Sequence, residues 1–515
     1  MRDGVVLRAD VYRPDEDGTH PVLLCRLPYG KHRSYELSML MPTYFAQQGF
    51  IVVLQDTRGR FRSEGNWEPM ATENEDGYDT VMWASTLPGS SGHVFMYGLS
   101  YFGATQFAAA GEQPGALTAI APMFTTETLF PPELIPTHHW SPWDLAQGIE
   151  EIRRRYQDDP EQLQQKMGAL THDLSNLHTE LYPADQDRAS ALERHALPHR
   201  QSLRLNSRPT TPALNIGGWF DIFVDGTIES FMDQRSRGVP SRLVIGPWTH
   251  VNQSPHVGDM SFGVGADMNR LRMETNIWEL QRDWFRSHLE DAGSASEIPP
   301  VEIFVMGDNV WRTENEWPLA RAVTSTMYLG TNGVLLEEQC LDPSRDSFTH
   351  RPRTPVPTVG GATLMEAYAA GPLRQDAIET REDVLTYTTT PLAHDLEVTG
   401  HPVITLDVES TATSADWVVR LCDVDPDGHS VLITDGIVRS EGDRQMHAVS
   451  LLPTSWVFKR RHSIRVQVSS SSYPRWLPNF AGADPQSDPR FDHHVWLGTS
   501  RIELPVVPRD DSGDL

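Results

Sequence analysis

The sequence predicts an α/β domain built on a mostly parallel sheet, interrupted by a helical insertion and followed by an all-β domain. Three observations carry this. Short apolar runs alternate with helical stretches over residues 1–122 and again over 211–296. Polar helical character dominates 123–210, and from 297 to 515 helices nearly vanish in favour of short β-rich segments separated by turn residues. With 515 residues the chain is past the size at which one hydrophobic core keeps growing, so several domains are expected.

In chain order, "PVLLCRLPY" (21–29) and "GFIVVLQDTRG" (49–59) carry Val-, Ile- and Leu-rich runs bounded by Pro, Gly or Asp, the look of buried parallel strands. The intervening "SYELSMLMPTYFAQQ" reads as helix despite Pro42, and "NEDGYDTVMWAST" (74–86) sets Tyr78, Val81 and Met82 at helical spacing before the next strand, "HVFMYGLS". In the insertion, Ser141 and Asp144 open one helix in the manner of a capping box. Leu163, Met167, Leu170, Leu174 and Leu177 line a second. "PALNIGGWFD" (212–221) and "SRLVIGPWTH" (241–250) restore the sheet, and an amphipathic stretch at 270–289 follows them. Beyond 297, "VEIFVMG", "VLTYTT", "PVITLDVES", "DWVVRLCDVD", "HSVLITDGIVR" and "SIRVQVSSSSYP" predict a β sandwich or jelly roll.

Composition excludes several function classes. The 70 acidic and 43 basic residues give a formal net charge of −27, which repels nucleic acid and anionic membranes and favours solubility. Three cysteines, Cys25, Cys340 and Cys422, form no CxxC pair, so neither a disulfide framework nor a zinc site is expected. The N-terminal residues lack the regions of a signal peptide, and no apolar run approaches the ~18 residues of a membrane span, so a cytoplasmic location with reduced thiols is the expectation. His138-His139 and His493-His494 are neighbours that point different ways in regular structure and make no metal site. "DTRGRFRSEG" (56–65) lacks the Lys-Ser/Thr ending of a phosphate loop and reads as a salt-bridged structural loop, while the acidic run Glu73 to Asp79 reads as a solvated helix face.

The chemistry concentrates in "VFMYGLSYFGATQFAAA" (94–110), where Ser100 stands between glycines at a strand-to-helix turn. A nucleophile elbow is written G-x-S-x-G, and here the second glycine comes one position later. On its own, such a pattern serves equally as a turn with an N-cap. A serine nucleophile needs a base, and the base needs a carboxylate to hold its tautomer. Asp221 ends "GGWFD" and His250 ends "GPWTH", both at the carboxyl ends of apolar runs, where open α/β sheets gather their functional loops. Each alone is ordinary, Asp221 as a helix cap and His250 as one of 20 histidines, but the order Ser100, Asp221, His250 is the serine, acid, histidine order of α/β-hydrolases.

With these motifs the chain resembles the serine hydrolase family of bacterial cocaine esterase, the α-amino-acid ester hydrolases and the Xaa-Pro dipeptidyl-peptidases. The resemblance runs through "MRDGVVLRADVYRP", "RLPYGK", "QDTRGRFRSEG", "GLSYFG", "GWFD", "GPWTH", "DWVVRLCDVDPDGHSVLITDGIVR" and "VQVSSSSYPR". It implies an α/β-hydrolase domain, a helical cap at 123–210, a C-terminal jelly roll and no cofactor. It also implies that the Tyr29 hydroxyl and the backbone N–H of Tyr101 form the oxyanion hole. Asp221 is followed by Ile222 and Phe223, where the amino-acid ester hydrolases carry acidic residues for the substrate ammonium and the cocaine-esterase branch has a Gly-Phe pair. The resemblance therefore implies a small-molecule ester with a neutral acyl group, aromatic ones included, lined by Phe223; Trp140 and Trp143, near the start of the cap, either add aromatic walls to that pocket or pack in the core. A peptidase or amide acylase on the same fold is the alternative, and a non-catalytic binding protein is a rival of another class that a complete triad disfavours. A homo-oligomer is compatible with the sequence.

Overall fold

The structure, a computed structural model, describes residues 1–67, 70–127, 156, 159–172, 207–289, 299–339, 344–363, 370–473, 475–476, 478–484 and 487–509. Its first sheet has nine strands in the order β1-β3-β2-β4-β5-β6-β7-β10-β11. These are β1 (Ala9–Tyr12), β2 (His20–Leu27), β3 (Ile51–Asp56), β4 (Ser90–Leu99), β5 (Leu117–Met123), β6 (Ala213–Phe220), β7 (Ser241–Thr249), β10 (Val301–Val305) and β11 (Val310–Glu314), with β8 (His256–Val257) and β9 (Met260–Ser261) forming a small separate hairpin. From β2 to β10 every pairing is parallel, and β1 and β11 close the edges in antiparallel register.

Because successive side chains of a strand point to opposite faces, the buried runs divide between two helical layers. Val22, Leu24, Ile51 and Val53 pack with Val81 of α3 (Glu73–Ser85) and Phe107 of α4 (Tyr101–Gly111). Leu23, Cys25, Val52 and Leu54 pack with Leu40 of α1 (Ser34–Leu40), Phe45 of α2 (Pro42–Gln47) and Phe285 of α7 (Ile277–Arg286). Pro42 does not break the helix read across it but divides it, standing at the first position of α2 where no N–H is needed, with Met41 at φ 45° as the joint. Asn276 caps α7 through a reciprocal capping box with Glu279. Within the insertion, α5 (Pro160–His172) is described, and α6 (Val224–Ser236) joins β6 to β7; Trp140, Trp143, Ser141, Asp144, Leu174, Leu177 and the His138-His139 pair lie outside the described residues, as does Cys340.

One expectation is corrected. "VEIFVMG" does not open the β domain: Val301–Val305 is β10, paired in parallel with β7 and continuing the first sheet. The amphipathic α7 between β7 and β10 makes them one more strand-helix-strand unit, and a strand's sheet is set by this partner rather than by its own residues. The two domains then share a core: Met306 N–H donates to Ser455 O and Val457 N–H to Met306 O, and Trp219 Nε1 donates to Phe304 O across a cluster that reaches Val507. Among the described residues the C-terminal part is built almost only of strands, thirteen of them in one hydrogen-bonded system, which fits a jelly roll.

In that β domain His493 and His494 divide as neighbours on a strand must. His493 is buried, its Nε2 against Ser470 Oγ and its ring stacked on His350, while His494 bonds Ser347 at the surface. Burial pushes His493 down to about 3 and His350 to about 4, each below the ordinary histidine value of ~6.5. Both are held neutral in the folded state, so their contribution to stability is complete above ~6.5 and is lost as the pH falls toward those two values. The melting temperature should therefore already decline between pH 6.5 and 5, above the main carboxylate range. Substituting His493→Leu should flatten that part of a calorimetric pH series; an equal slope in the variant contradicts the assignment.

Candidate active site

Ser100 occupies the turn between β4 and α4 at φ 55°, ψ −125°, a region L side chains rarely adopt. Its N–H donates to Met123 O and its carbonyl accepts from Gly103 and Ala104, so the hydrogen bonds of β5 and α4 hold the strained residue in place. The displaced glycine has a steric reason. A Cβ on Gly103 would lie 2.5 Å from Thr125 Cγ2, because the chain leaving β5 crosses α4 at this point.

Asp221 and His250 directly follow β6 and β7, neighbouring parallel strands whose ends lie beside the elbow. A Cβ on Gly218 would lie 2.3 Å from Trp248 O, so this close approach of the two strand ends requires glycine. The structure brings the three residues together: His250 Nδ1 is 2.9 Å from Asp221 Oδ1 and His250 Nε2 is 3.0 Å from Ser100 Oγ. The carboxylate accepts a hydrogen bond from Nδ1–H and so keeps the proton on Nδ1, which leaves the Nε2 lone pair to accept from the serine hydroxyl. Asp221 and His250 are both buried, Gln253 Nε2 donates to His250 O, and the rings of Phe124 and Phe223 flank the imidazole at 6.2 and 5.4 Å.

Tyr29 lies two residues beyond β2, half-buried, with its ring edge-on to Tyr101 and Phe102 at 6.3 and 6.2 Å. Tyr101 is the first residue of α4, and the amides of a first helical turn point out of the helix end. Phe223 packs with Met70, Tyr101 and Ala104, with Tyr29, Trp67 and Ile222 at the edge, in one apolar cluster beside the elbow. Met70, Trp67 and Phe124 have no counterpart in the sequence reading, since nothing in their local pattern separates them from core residues.

The acidic run requires a second correction. Glu73 and Asp76 are buried, and they face partners rather than water. Arg58 pairs with Asp76 and Asp3, and Arg2 with Asp79, which makes the loop at 56–65 and the chain start a salt-bridged layer over α3. Glu73 Oε2 lies 2.9 Å from Arg26 Nη1, and Tyr101 Oη donates to Glu73 Oε1 at 2.8 Å. Burial pushes the Glu73 carboxyl up, with Arg26 and the Tyr101 hydroxyl pulling it back. The clue was available in "PVLLCRLPY": an arginine within an apolar strand needs a buried partner.

Among the described residues no cluster of three or more His, Cys, Asp or Glu could hold a metal ion, and no helix is long and apolar enough to cross a membrane. The arrangement can activate a hydroxyl nucleophile at a strained turn, beside an apolar cluster and a helix N-terminus.

Residues 3–252 match the X-Pro dipeptidyl-peptidase (S15) family, and residues 294–501 match the X-Pro dipeptidyl-peptidase C-terminal non-catalytic domain. Cocaine esterase from Rhodococcus sp. (strain MB1 Bresler) is 33% identical over 525 residues, covering 93% of this chain and 91% of the relative. In fold the chain is similar to an aminopeptidase from the marine sediment archaeon Thaumarchaeota archaeon, with a TM-score of 0.79, 23% identity and coverage of 99% and 95% of the two chains. It is likewise similar to an α-amino acid ester hydrolase, with a TM-score of 0.76, 22% identity and coverage of 98% and 95%.

Proposed function

Since the chain belongs to the serine hydrolase family of cocaine esterase and the X-Pro dipeptidyl-peptidases, we propose that it cleaves carboxylic esters of neutral acyl groups, aromatic ones included, through an acyl-enzyme on Ser100. The observation that carries this reading is the unbroken hydrogen-bonded chain from Asp221 through His250 to Ser100. His250 Nε2 takes the Ser100 proton as Oγ forms a bond to the ester carbonyl carbon. The Tyr29 hydroxyl and the Tyr101 N–H stabilise the oxygen that becomes negative, and Asp221 stabilises the imidazolium. His250 returns the proton to the leaving alkoxide, and an alcohol departs. Water then gives a proton to His250 and attacks the acyl carbon, releasing the acid and restoring the Ser100 hydroxyl.

The acyl preference rests on the cluster around Phe223. It is apolar, and the nearest acidic residue along the chain after Asp221 is Asp225, whose carboxylate lies 3.5 Å from His401 of the β domain. A substrate ammonium buried there without a counter-charge would lose several kcal/mol. Matched substrates test this. Benzoyl and short aliphatic esters should exceed phenylglycine methyl ester and a Gly-Pro anilide in kcat/KM, and Phe223→Ala should reduce turnover of benzoyl esters more than of acetyl esters. Aminoacyl substrates that are better by tenfold or more would favour the peptidase or amide-acylase reading, which the S15 match keeps as the second one.

For the oxyanion hole, Tyr29→Phe should lower kcat by roughly 10²–10³-fold with little change in melting temperature. A fully active Phe variant rules out the hydroxyl.

A further inference from the structure

We infer that Glu73, held by Arg26 and acting through the Tyr101 phenol, is a positioning residue for the Tyr101 backbone N–H. The inference rests on the proposed role of that N–H as an oxyanion donor.

The direction of the Tyr101 N–H is set by rotation of the Ser100–Tyr101 peptide, and therefore by the ψ of Ser100. That residue is in a strained conformation, φ 55° and ψ −125°, so the peptide gains by relaxing unless something holds it. Its side chain offers little restraint, since Ser100 Oγ bonds only the catalytic imidazole among the described partners. The Gly103 and Ala104 N–H groups hold the carbonyl end of this peptide, and a further restraint comes from the next residue. Tyr101 is buried, and its hydroxyl both donates to Glu73 Oε1 at 2.8 Å and accepts the Met70 N–H at 3.0 Å.

Glu73 is in turn fixed to the sheet. Arg26 of β2 reaches Glu73 Oε2 at 2.9 Å and donates from Nη1 to the Glu73 carbonyl at 3.1 Å. Arg26 Nε donates to Gln55 Oε1 in β3, which also accepts the Thr80 hydroxyl of α3. A line of charge-assisted bonds therefore runs from β2 and β3 through α3 to the first residue of α4. Arg26 and Glu73 have side-chain exposures of 0% and 4%. A buried ion pair of this kind is weak evidence for stability, because well-packed apolar residues serve a core as well or better. Its use is directional: it holds a phenol, and with it a peptide plane, where oxyanion donors must sit within a few tenths of an ångström.

The test uses the whole enzyme, with variants compared per active site titrated by a fluorophosphonate. Tyr101→Phe keeps the ring and the ion pair but removes the tether. It should lower kcat by roughly 10–100-fold at unchanged KM, and weaken binding of an aryl boronate, a tetrahedral mimic, by the same factor as kcat/KM. The Arg26→Met/Glu73→Met double variant removes both charges together. It should match Tyr101→Phe in kcat and boronate affinity, even if its melting temperature equals that of the parent. Full kcat in both variants, or a loss of melting temperature without loss of boronate affinity, overturns the positioning role. Ser100→Ala separates the two levels. If Ser100 proves dispensable, the proposed function falls and this inference with it; if Ser100 is essential while both tether variants keep full kcat, only this inference falls.

Discussion

Ser100→Ala should lower kcat/KM for a neutral aryl ester by roughly 10⁴–10⁶-fold while leaving the fold intact. The size follows from the site. Without Oγ the imidazole has nothing to activate for covalent attack, and the residual rate comes only from substrate binding and the oxyanion donors. Stability should change little, because alanine keeps the Cβ and the backbone bonds to Met123, Gly103 and Ala104 that hold the φ of 55°. Circular dichroism and the melting temperature check the fold, and initial rates check the loss. A variant retaining a tenth of the parent activity contradicts the assignment of the nucleophile.

Asp221→Asn should be nearly as damaging, on the order of 10⁴-fold in kcat, for a different reason. The asparagine amide can donate to His250 Nδ1, which drives the imidazole proton onto Nε2. That atom is 3.0 Å from Ser100 Oγ and would then present a proton where a lone pair is needed. Geometry survives and function does not. The variant should therefore bind a competitive product acid as the parent does while its reaction with a fluorophosphonate slows in step with kcat. A loss below tenfold means that another carboxylate orients His250.

The residues of the site were legible because their positions follow from local sequence. Ser100, Asp221 and His250 each end an apolar run that could only be a buried strand, and parallel strands bring their carboxyl ends to one edge of the sheet. The irregular G-x-S-x-x-G spacing, by contrast, has its steric cause in Thr125, 22 positions along the chain from Gly103. What escaped the sequence was set by partners distant in the chain. Charge spacing in "ENEDGYD" gives no sign that Glu73 faces Arg26, 47 residues earlier, rather than solvent. Likewise "VEIFVMG" has the same composition whether it joins the first sheet or the second, and only its neighbour β7 decides. The tryptophans expected in the cap, Trp140 and Trp143, lie outside the described residues, and the apolar cluster beside the elbow is built around Phe223.

Central to the account is an acyl group carried by Ser100. Rapid acid quench of the enzyme with p-nitrophenyl benzoate, followed by intact-mass and peptide mapping, tests it most directly. The predicted result is a burst of nitrophenol equal to the enzyme present and one benzoyl group on the peptide containing Gly98-Leu99-Ser100-Tyr101, absent in Ser100→Ala. Turnover of the ester with the benzoyl group trapped on a different residue, or an unchanged burst in Ser100→Ala, contradicts it.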